Sequence, residues 1–230
     1  MDEAAARTLF DENAGTYDRV NAVISLGLDA RWRAWAARRA TSGPDSRVLD
    51  AYAGTGLVGL RAARLGADVT LADASPRMLD VARARAAAAS LRVHVLECDL
   101  TAEPLRMSGA PFDAVTLVFG VRYLDEPARA LRSLAGLLRP GGEMVIVEFV
   151  EPDGSAVARL AAWYFFRVLP RLAGLLSGHP DLYETLSATT HAMGRAEHLE
   201  GIVRDAGLEV SERRSMGFGL VCGIVAKAAQ

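Results

Sequence analysis

Val48 to Gly56 reads VLDAYAGTG, an apolar run that closes on a carboxylate and opens into a loop with paired glycines. The run, taken from Ser46, is short and apolar without alternation, which is the pattern of a parallel strand buried on both faces. Glycine combines positive φ with close backbone approach, so Gly54 and Gly56 let the chain pass tightly against a ligand, with Gly59 nearby. Leu57 to Leu65 returns to a helical period and Gly66 stops it. Strand, glycine turn and helix in that order predict an open parallel sheet.

The rest of the chain repeats the unit. ADVTLAD, ending at Asp73, is the second strand, followed by a helix from Pro76 to Ser90 with Ser75 as its N-cap. LRVHVLECD ending at Asp99 is the third strand and PFDAVTLVFG ending at Gly120 the fourth. A helix from Pro127 to Leu138 and the strand GGEMVIVEF ending at Phe149 follow. Upstream, Asp29 reads as the N-cap of a helix that Gly43-Pro44 ends. Downstream, residues 155–195 are helical with loops, Arg195 to Ala206 is a further helix, and LEVSERRSM and LVCGIVAKA flank a turn at Met216–Gly219. The predicted class is α/β, a doubly wound, mainly parallel seven-stranded sheet closed by a C-terminal antiparallel hairpin. It is expected as a single domain over 1–230, with an N-terminal helical cap at 1–43 and a cofactor-binding core at 44–150. A helical lid insertion follows at 151–195, and the last helix and hairpin occupy 196–230.

Composition narrows the function. Of 230 residues 51% are hydrophobic and 23% charged, and a net charge of -2 argues against a nucleic-acid partner. Cys98 and Cys222 have no metal-ligand spacing and read as free thiols in a reducing cytosol. MDEAAARTLF at the start lacks the basic and apolar regions of a signal peptide, so none is expected. Ala156 to Leu176 has the length of a membrane span, but Arg159, Arg167 and Arg171 interrupt it and Pro170 would kink it. It is expected to be a buried or interfacial amphipathic helix in a cytoplasmic protein.

The candidate cofactor site gathers at strand ends. Ligands of open α/β sheets bind beyond the carboxyl ends of the strands, at the reversal of strand order. Asp73 stands 19 residues after Gly54, where a carboxylate can accept two hydrogen bonds from a ribose diol. Asp99 is placed for an adenine amino group, with Leu100 offering a backbone N–H and Cys98 and Met78 lining the pocket. Asp50 is placed to meet the charged end of a cofactor, directly or through water. These features point to a nucleoside cofactor without separating S-adenosylmethionine from a nicotinamide dinucleotide.

A resemblance separates them. YDRVNAVISLGLDARWR (17–33), VLDAYAGTG, LADASPRML (71–79), FDAVTLVFGVRYL (112–124), LLRPGGEMVIVEF (137–149) and YFFRVLPRLAGLLSG (164–178) resemble the ubiquinone/menaquinone biosynthesis C-methyltransferase family, a class I methyltransferase family. The likeness covers about nine-tenths of the chain. It implies S-adenosyl-L-methionine as cofactor, a Rossmann-like fold, and methyl transfer to a ring carbon of a prenylated hydroquinone. By position it makes Thr55, Asp73, Asp99 and Leu100 cofactor contacts, with Ala74, Met78 and Phe119 in the same set. Tyr17 and Arg122 would face the substrate.

A hydroquinone carbon becomes nucleophilic when the adjacent hydroxyl is deprotonated, so a cation beside the phenolate is needed. Arg122 is the first candidate, acting on the phenolate or on a water, since a guanidinium does not abstract protons. Tyr17, Asn21, Tyr123 and Tyr183 are candidates for substrate contact. His179 and His191 are candidates for the proton acceptor, though each also reads as an exposed loop histidine. Trp163, Tyr164, Phe165 and Phe166 are expected in the core.

The chain departs from the family at Val20, Asp29 (usually His), Val118 and Val150 (usually Ser) and Tyr123 (usually Asn), and LSATTHAMG (186–194) replaces the usual lid stretch. Three roles are therefore weighed. The first is a quinone-pathway enzyme peripheral to the membrane, the second a C- or O-methyltransferase of a soluble aromatic or polyketide metabolite. The third is a cofactor-binding partner subunit without catalysis. A homodimer is compatible with all three.

Overall fold

The computed structural model describes residues 8, 11, 18, 22, 25–101, 105, 107–152, 154–168 and 188–228. In chain order the elements are α1 (Leu28–Ala40), β1 (Arg47–Ala51), α2 (Gly59–Arg64), β2 (Asp68–Asp73), α3 (Pro76–Ala88), β3 (His94–Glu97) and β4 (Phe112–Val118). They continue with α4 (Pro127–Ala135), β5 (Leu138–Phe149), α5 (Ala156–Trp163), α6 (Ala196–Asp205), β6 (Leu208–Met216) and β7 (Val221–Ala228). The seven strands form one sheet in the order β3-β2-β1-β4-β5-β7-β6. All neighbours from β3 to β5 are parallel, and β7 pairs antiparallel with both β5 and β6.

Why the inner strands read as unbroken apolar runs is visible in their packing. Val48, Val69, Val145 and Val147 face one layer, with Trp32 and Trp35 of α1 and Leu60 of α2. Leu49, Leu117, Met144 and Ile146 face the other, with Leu131 and Leu134 of α4 and Leu199 and Val203 of α6. Successive side chains point to opposite faces, and both faces are covered, so no position on these strands is left for polar alternation. The edge strand β6 does alternate. Its Glu209, Arg213 and Arg214 are exposed, charges that discourage pairing with another chain.

Local predictions hold where capping chemistry is strong and shift where it is weak. Ser75 caps α3, its hydroxyl accepting from the Met78 N–H. Asp29 is not an N-cap. Gly27, with φ of 75°, holds that position, and Asp29 sits in the first turn of α1 with its carboxylate on the Arg33 guanidinium at 2.8 Å. α1 stops at Ala40, ahead of Gly43, and β3 contracts to four residues. α2 begins at Gly59, because residues 56–58 are spent on the loop.

Beyond β5 the chain enters α5, capped by Ser155, and passes into a π-helical turn at Tyr164–Val168. Phe165 is buried there as expected of a core aromatic, whereas Trp163 is 58% exposed and is no core residue. No described helix is long and apolar enough to cross a membrane. Tyr17, Asn21, His179 and Tyr183 lie outside the described residues.

Candidate active site

The switch in strand order falls between β1 and β4, whose outward connections run to opposite sides. A crevice at the carboxyl ends of these strands is the expected ligand site. Its floor is the loop from Tyr52 to Val58. Gly54 and Gly56 hold φ of 54° and 77°, and Tyr52 holds 53° without being glycine. Non-glycine residues in that region are strained, and such strain collects at ligand loops. The two glycines differ in what they permit. A Cβ on Gly54 would point into open space, while one on Gly56 would press within 3.2 Å of Ala82 and Leu71. Gly59 adds a third. A Cβ there would fall 2.2 Å from the Leu71 side chain, so this glycine lets α2 close on the sheet. Gly54, Gly56 and Gly59 together are spaced G-x-G-x-x-G, so the third glycine, expected to be missing at this spacing with Gly59 only nearby, is present.

Two carboxylates hold this loop. Asp50, buried at the end of β1, accepts from the Thr116 hydroxyl at 2.6 Å and from the Gly59 N–H at 2.8 Å. It thereby ties β1 to β4 and anchors the start of α2, a role that the sequence reading did not assign. Burial pushes its carboxyl up to about 6, against the lowering effect of both hydrogen bonds. The folded protein binds that proton more tightly than the unfolded chain does. Stability therefore falls as pH rises from 3.8 through about 6 and stays at the lower level above it. Asp50→Asn keeps one acceptor and one donor for the same two partners and removes the charge. It is expected to raise stability above pH 6 by about 3 kcal/mol, by less at pH 4.5, and to leave it unchanged well below pH 3.8. Urea unfolding of both proteins at pH 4.5 and 7.5 measures this, and equal differences at both pH values would contradict it.

Asp73 ends β2 and accepts from the Gly54 N–H at 2.7 Å and the Ser75 N–H at 2.8 Å. Burial raises its pKa, partly offset by N–H groups of Ser75, Gly54 and Ala74. Ala74 is thus a backbone donor in this corner. Met78 is buried in the first turn of α3. Cys98 is half-buried, its thiol pushed up by burial and then by the charges of Asp73 and Asp99. Asp99 is exposed and accepts from the Thr101 N–H at 2.9 Å and hydroxyl at 2.6 Å. Leu100 and Thr55 are buried, and the Thr55 carbonyl accepts from Arg85. The glycine loop, Asp73, Cys98 and Asp99 therefore come together at the ends of β1, β2 and β3. An open cradle at Gly54 beside a half-buried carboxylate fits a nucleoside with a ribose diol.

On the β4 side, Tyr52 joins the two halves. A Cβ on Gly120 would lie 3.4 Å from that of Tyr52, so the glycine loop abuts the chain leaving β4. There Val121–Tyr123 forms a 3-10 turn that carries Arg122. The Arg122 side chain is 3% exposed and pairs with Glu148 of β5, which is fully buried. Glu148 also accepts from the Arg122 N–H at 3.2 Å and the Phe149 N–H at 2.8 Å. The guanidinium donates to the Tyr123 hydroxyl at 3.2 Å. It also lies over the Tyr123, Phe149 and Phe119 rings at 4.6, 5.2 and 5.8 Å from their centroids.

Phe119, φ 63°, belongs to this cluster. Its ring stacks on Phe149 at 4.7 Å, meets Trp32 edge-on, and carries Arg33 on it at 5.1 Å. Phe149 in turn meets Phe165 at 4.9 Å, Phe165 meets Phe166 at 5.5 Å, and Phe166 meets His191 at 5.2 Å. An aromatic line thus runs from Arg122 towards the surface. His191 is exposed and pairs with Glu151 at 2.7 Å, so it stands at the outer end of that line and away from Arg122. Val118 and Val150, where the resembled family carries serines, are buried. Glu148 and Tyr52 are the site residues that sequence reading missed. The only signals were a carboxylate inside an apolar strand and a tyrosine inside a glycine loop.

Comparison with known proteins gives the arrangement its relatives. A family model described as the ubiE/COQ5 methyltransferase family matches residues 1–227. A demethylmenaquinone methyltransferase of Thermus thermophilus is 40% identical over 88% of this chain and 92% of its own length. The ubiquinone/menaquinone biosynthesis C-methyltransferase UbiE of Shewanella sediminis is 31% identical over 93% and 86%. Among solved structures, an S-adenosylmethionine-dependent methyltransferase from Clostridium acetobutylicum superimposes with a TM-score of 0.65 at 11% identity. That match covers 96% of this chain and all of the other, and it speaks for the fold.

Proposed function

The chain belongs to the ubiE/COQ5 methyltransferase family, and from that premise we propose that it methylates a ring carbon of a prenylated, demethylmenaquinol-like hydroquinone at a membrane surface. The observation that carries this reading is the Arg122 guanidinium, buried among three aromatic rings beside the glycine loop. S-adenosylmethionine, when bound, supplies a methyl group already activated on a sulfonium. Gly54, Thr55, Gly56, Asp73, Ala74, Met78, Asp99 and Leu100 are the residues that would hold it. The protein's remaining work is alignment and control of charge.

Arg122 does the second. Its pairing with Glu148 makes the couple neutral, so it acts through directed N–H donation to a developing phenolate oxygen more than through net charge. With the hydroxyl proton released to water, phenolate charge spreads to the ortho carbon, which would take the methyl group as the S–CH3 bond breaks to leave the thioether. That carbon then gives up its ring proton to water as aromaticity returns. Glu148 serves as a positioning residue, holding the fork of the guanidinium from the far side. Tyr17, Asn21 and Tyr183 remain proposed substrate contacts.

A second acceptor class, a soluble aromatic or polyketide metabolite, is favoured by one observation. Tyr123 fills the place of the family's asparagine and covers the guanidinium with a ring. A transfer assay with labelled S-adenosylmethionine, offering a prenylated demethylnaphthoquinol beside soluble phenols, decides between them. Label on the prenylated ring is expected, and label on a soluble phenol alone would overturn it. Asp73→Ala is expected to weaken cofactor affinity about 10²-fold, from the loss of charged hydrogen bonds to the ribose. Calorimetric titration of the folded variant measures it, and wild-type affinity would place the ribose elsewhere.

A further inference from the structure

Among the described residues, six large apolar side chains are exposed, and four of them belong to one region. Val157, Leu160 and Trp163 of α5 are 60%, 66% and 58% exposed, spaced three apart so that they share a helix face. Ala158 and Phe165 on the opposite side are buried. The fourth is Phe218, 64% exposed, in the turn between β6 and β7 against which α5 packs.

That turn is built to present its aromatic. Phe218 holds φ of 59° between Gly217 and Gly219, at 57° and 91°. A left-handed phenylalanine is strained, and here the strained residue is one whose side chain stands largely in solvent.

The charge around these residues selects what meets them. The protein as a whole carries -2, yet the described stretch from Ala156 to Val168 contains two arginines and no carboxylate. Arg159 and Arg167 are both exposed. An apolar face rimmed by arginine, with tryptophan at its edge, matches the acyl boundary and phosphates of a bilayer surface. The inner side of the same helical run leads through Phe165, Phe149 and Phe119 to Arg122. A lipophilic acceptor would therefore be met on the side that faces its source.

From this geometry we infer that the outer face of α5 and the Gly217–Gly219 turn dock the protein on an anionic lipid bilayer. Val157, Leu160, Trp163 and Phe218 enter the acyl boundary and Arg159 meets headgroup phosphates. The inference rests on the prenylated-acceptor reading and specifies where such an enzyme meets the membrane.

Trp163 reports on it without a label, because the other two tryptophans, Trp32 and Trp35, are 5% and 7% exposed. The full chain is titrated with vesicles of phosphatidylglycerol and phosphatidylcholine while tryptophan emission and co-sedimentation are followed. A blue shift with the mixed vesicles is expected, and a smaller one with phosphatidylcholine alone. Leu160→Glu and Phe218→Ser are each expected to lower vesicle binding about tenfold, and Arg159→Glu to remove the preference for anionic lipid. No shift in the wild type, or equal binding by the variants, overturns the inference. So does a shift that follows protein concentration without vesicles, which would make the face an interface between copies. Leu160→Glu is expected to methylate a short-chain, water-soluble hydroquinone as the wild type does. Vesicle binding without methylation of any hydroquinone would count against the proposed function and leave the docking surface standing. Methylation without vesicle binding would do the reverse.

Discussion

Arg122→Lys is expected to lower kcat by about 10²–10³-fold while leaving cofactor affinity unchanged. The substitution keeps a positive charge opposite Glu148, so it tests geometry and not electroneutrality. What is lost is the planar fork. One arm of the guanidinium meets Glu148, another meets the Tyr123 hydroxyl at 3.2 Å, and its face lies on three rings. A lysine ammonium is a point charge on a flexible stem and reproduces neither the fork nor the stacking. If the phenolate is stabilised by N–H groups aimed before the reaction, the loss belongs in kcat and not in KM. Single-turnover rates with cofactor saturating give the measurement. Wild-type turnover in a folded Arg122→Lys protein would remove Arg122 from the chemistry.

The parts of this site that were legible in the sequence are those where backbone geometry demands a residue type. A loop that turns from β1 into α2 against a ligand needs glycine, and a strand-end carboxylate that accepts N–H bonds needs a short acid. Gly54, Gly56 and Asp73 therefore stood out. The mainly parallel sheet and its closing antiparallel hairpin followed in the same way, from continuous apolar runs alternating with helices, whereas the order of the strands had no local signal. Other features have no local signal. Asp29 has the chemistry of an N-cap, but its carboxylate is drawn to Arg33 one turn on, and Gly27 takes the cap through its left-handed backbone. Trp163 has the composition of a core residue, and only the direction of α5 turns it outward. Asp50 reads as a candidate ligand because of its place at a strand end. Its two bonds, to Thr116 and Gly59, join segments 66 and 9 residues away. Glu148 is the clearest case, since an acid within VIVEF is explained only by Arg122 arriving from the adjacent strand end.

That pair supports the largest expected change in stability. Glu148→Ala is expected to cost about 3–5 kcal/mol, because the Arg122 guanidinium loses its carboxylate in a site that water barely reaches. The carboxylate oxygens also accept the N–H groups of Arg122 and Phe149, so truncation removes acceptors from the backbone as well. Glu148→Gln fits the space, but its amide turns a donor towards N–H groups that need an acceptor, and an intermediate loss is expected. Stability alone would not distinguish a positioning role from a merely structural one. The double variant Arg122→Met, Glu148→Leu does so, because exchanging a buried ion pair for apolar side chains is often neutral or stabilising by about 1–4 kcal/mol. It is expected to recover the part of the loss that comes from the unpaired guanidinium, the N–H groups of Arg122 and Phe149 still lacking the carboxylate, and to recover none of the methyl transfer, while still binding cofactor at the glycine loop. Chemical denaturation, calorimetric cofactor titration and turnover on the same preparation measure all three. Turnover restored along with stability would reduce the Arg122–Glu148 pair to a packing element, whereas the expected split assigns it to the reaction.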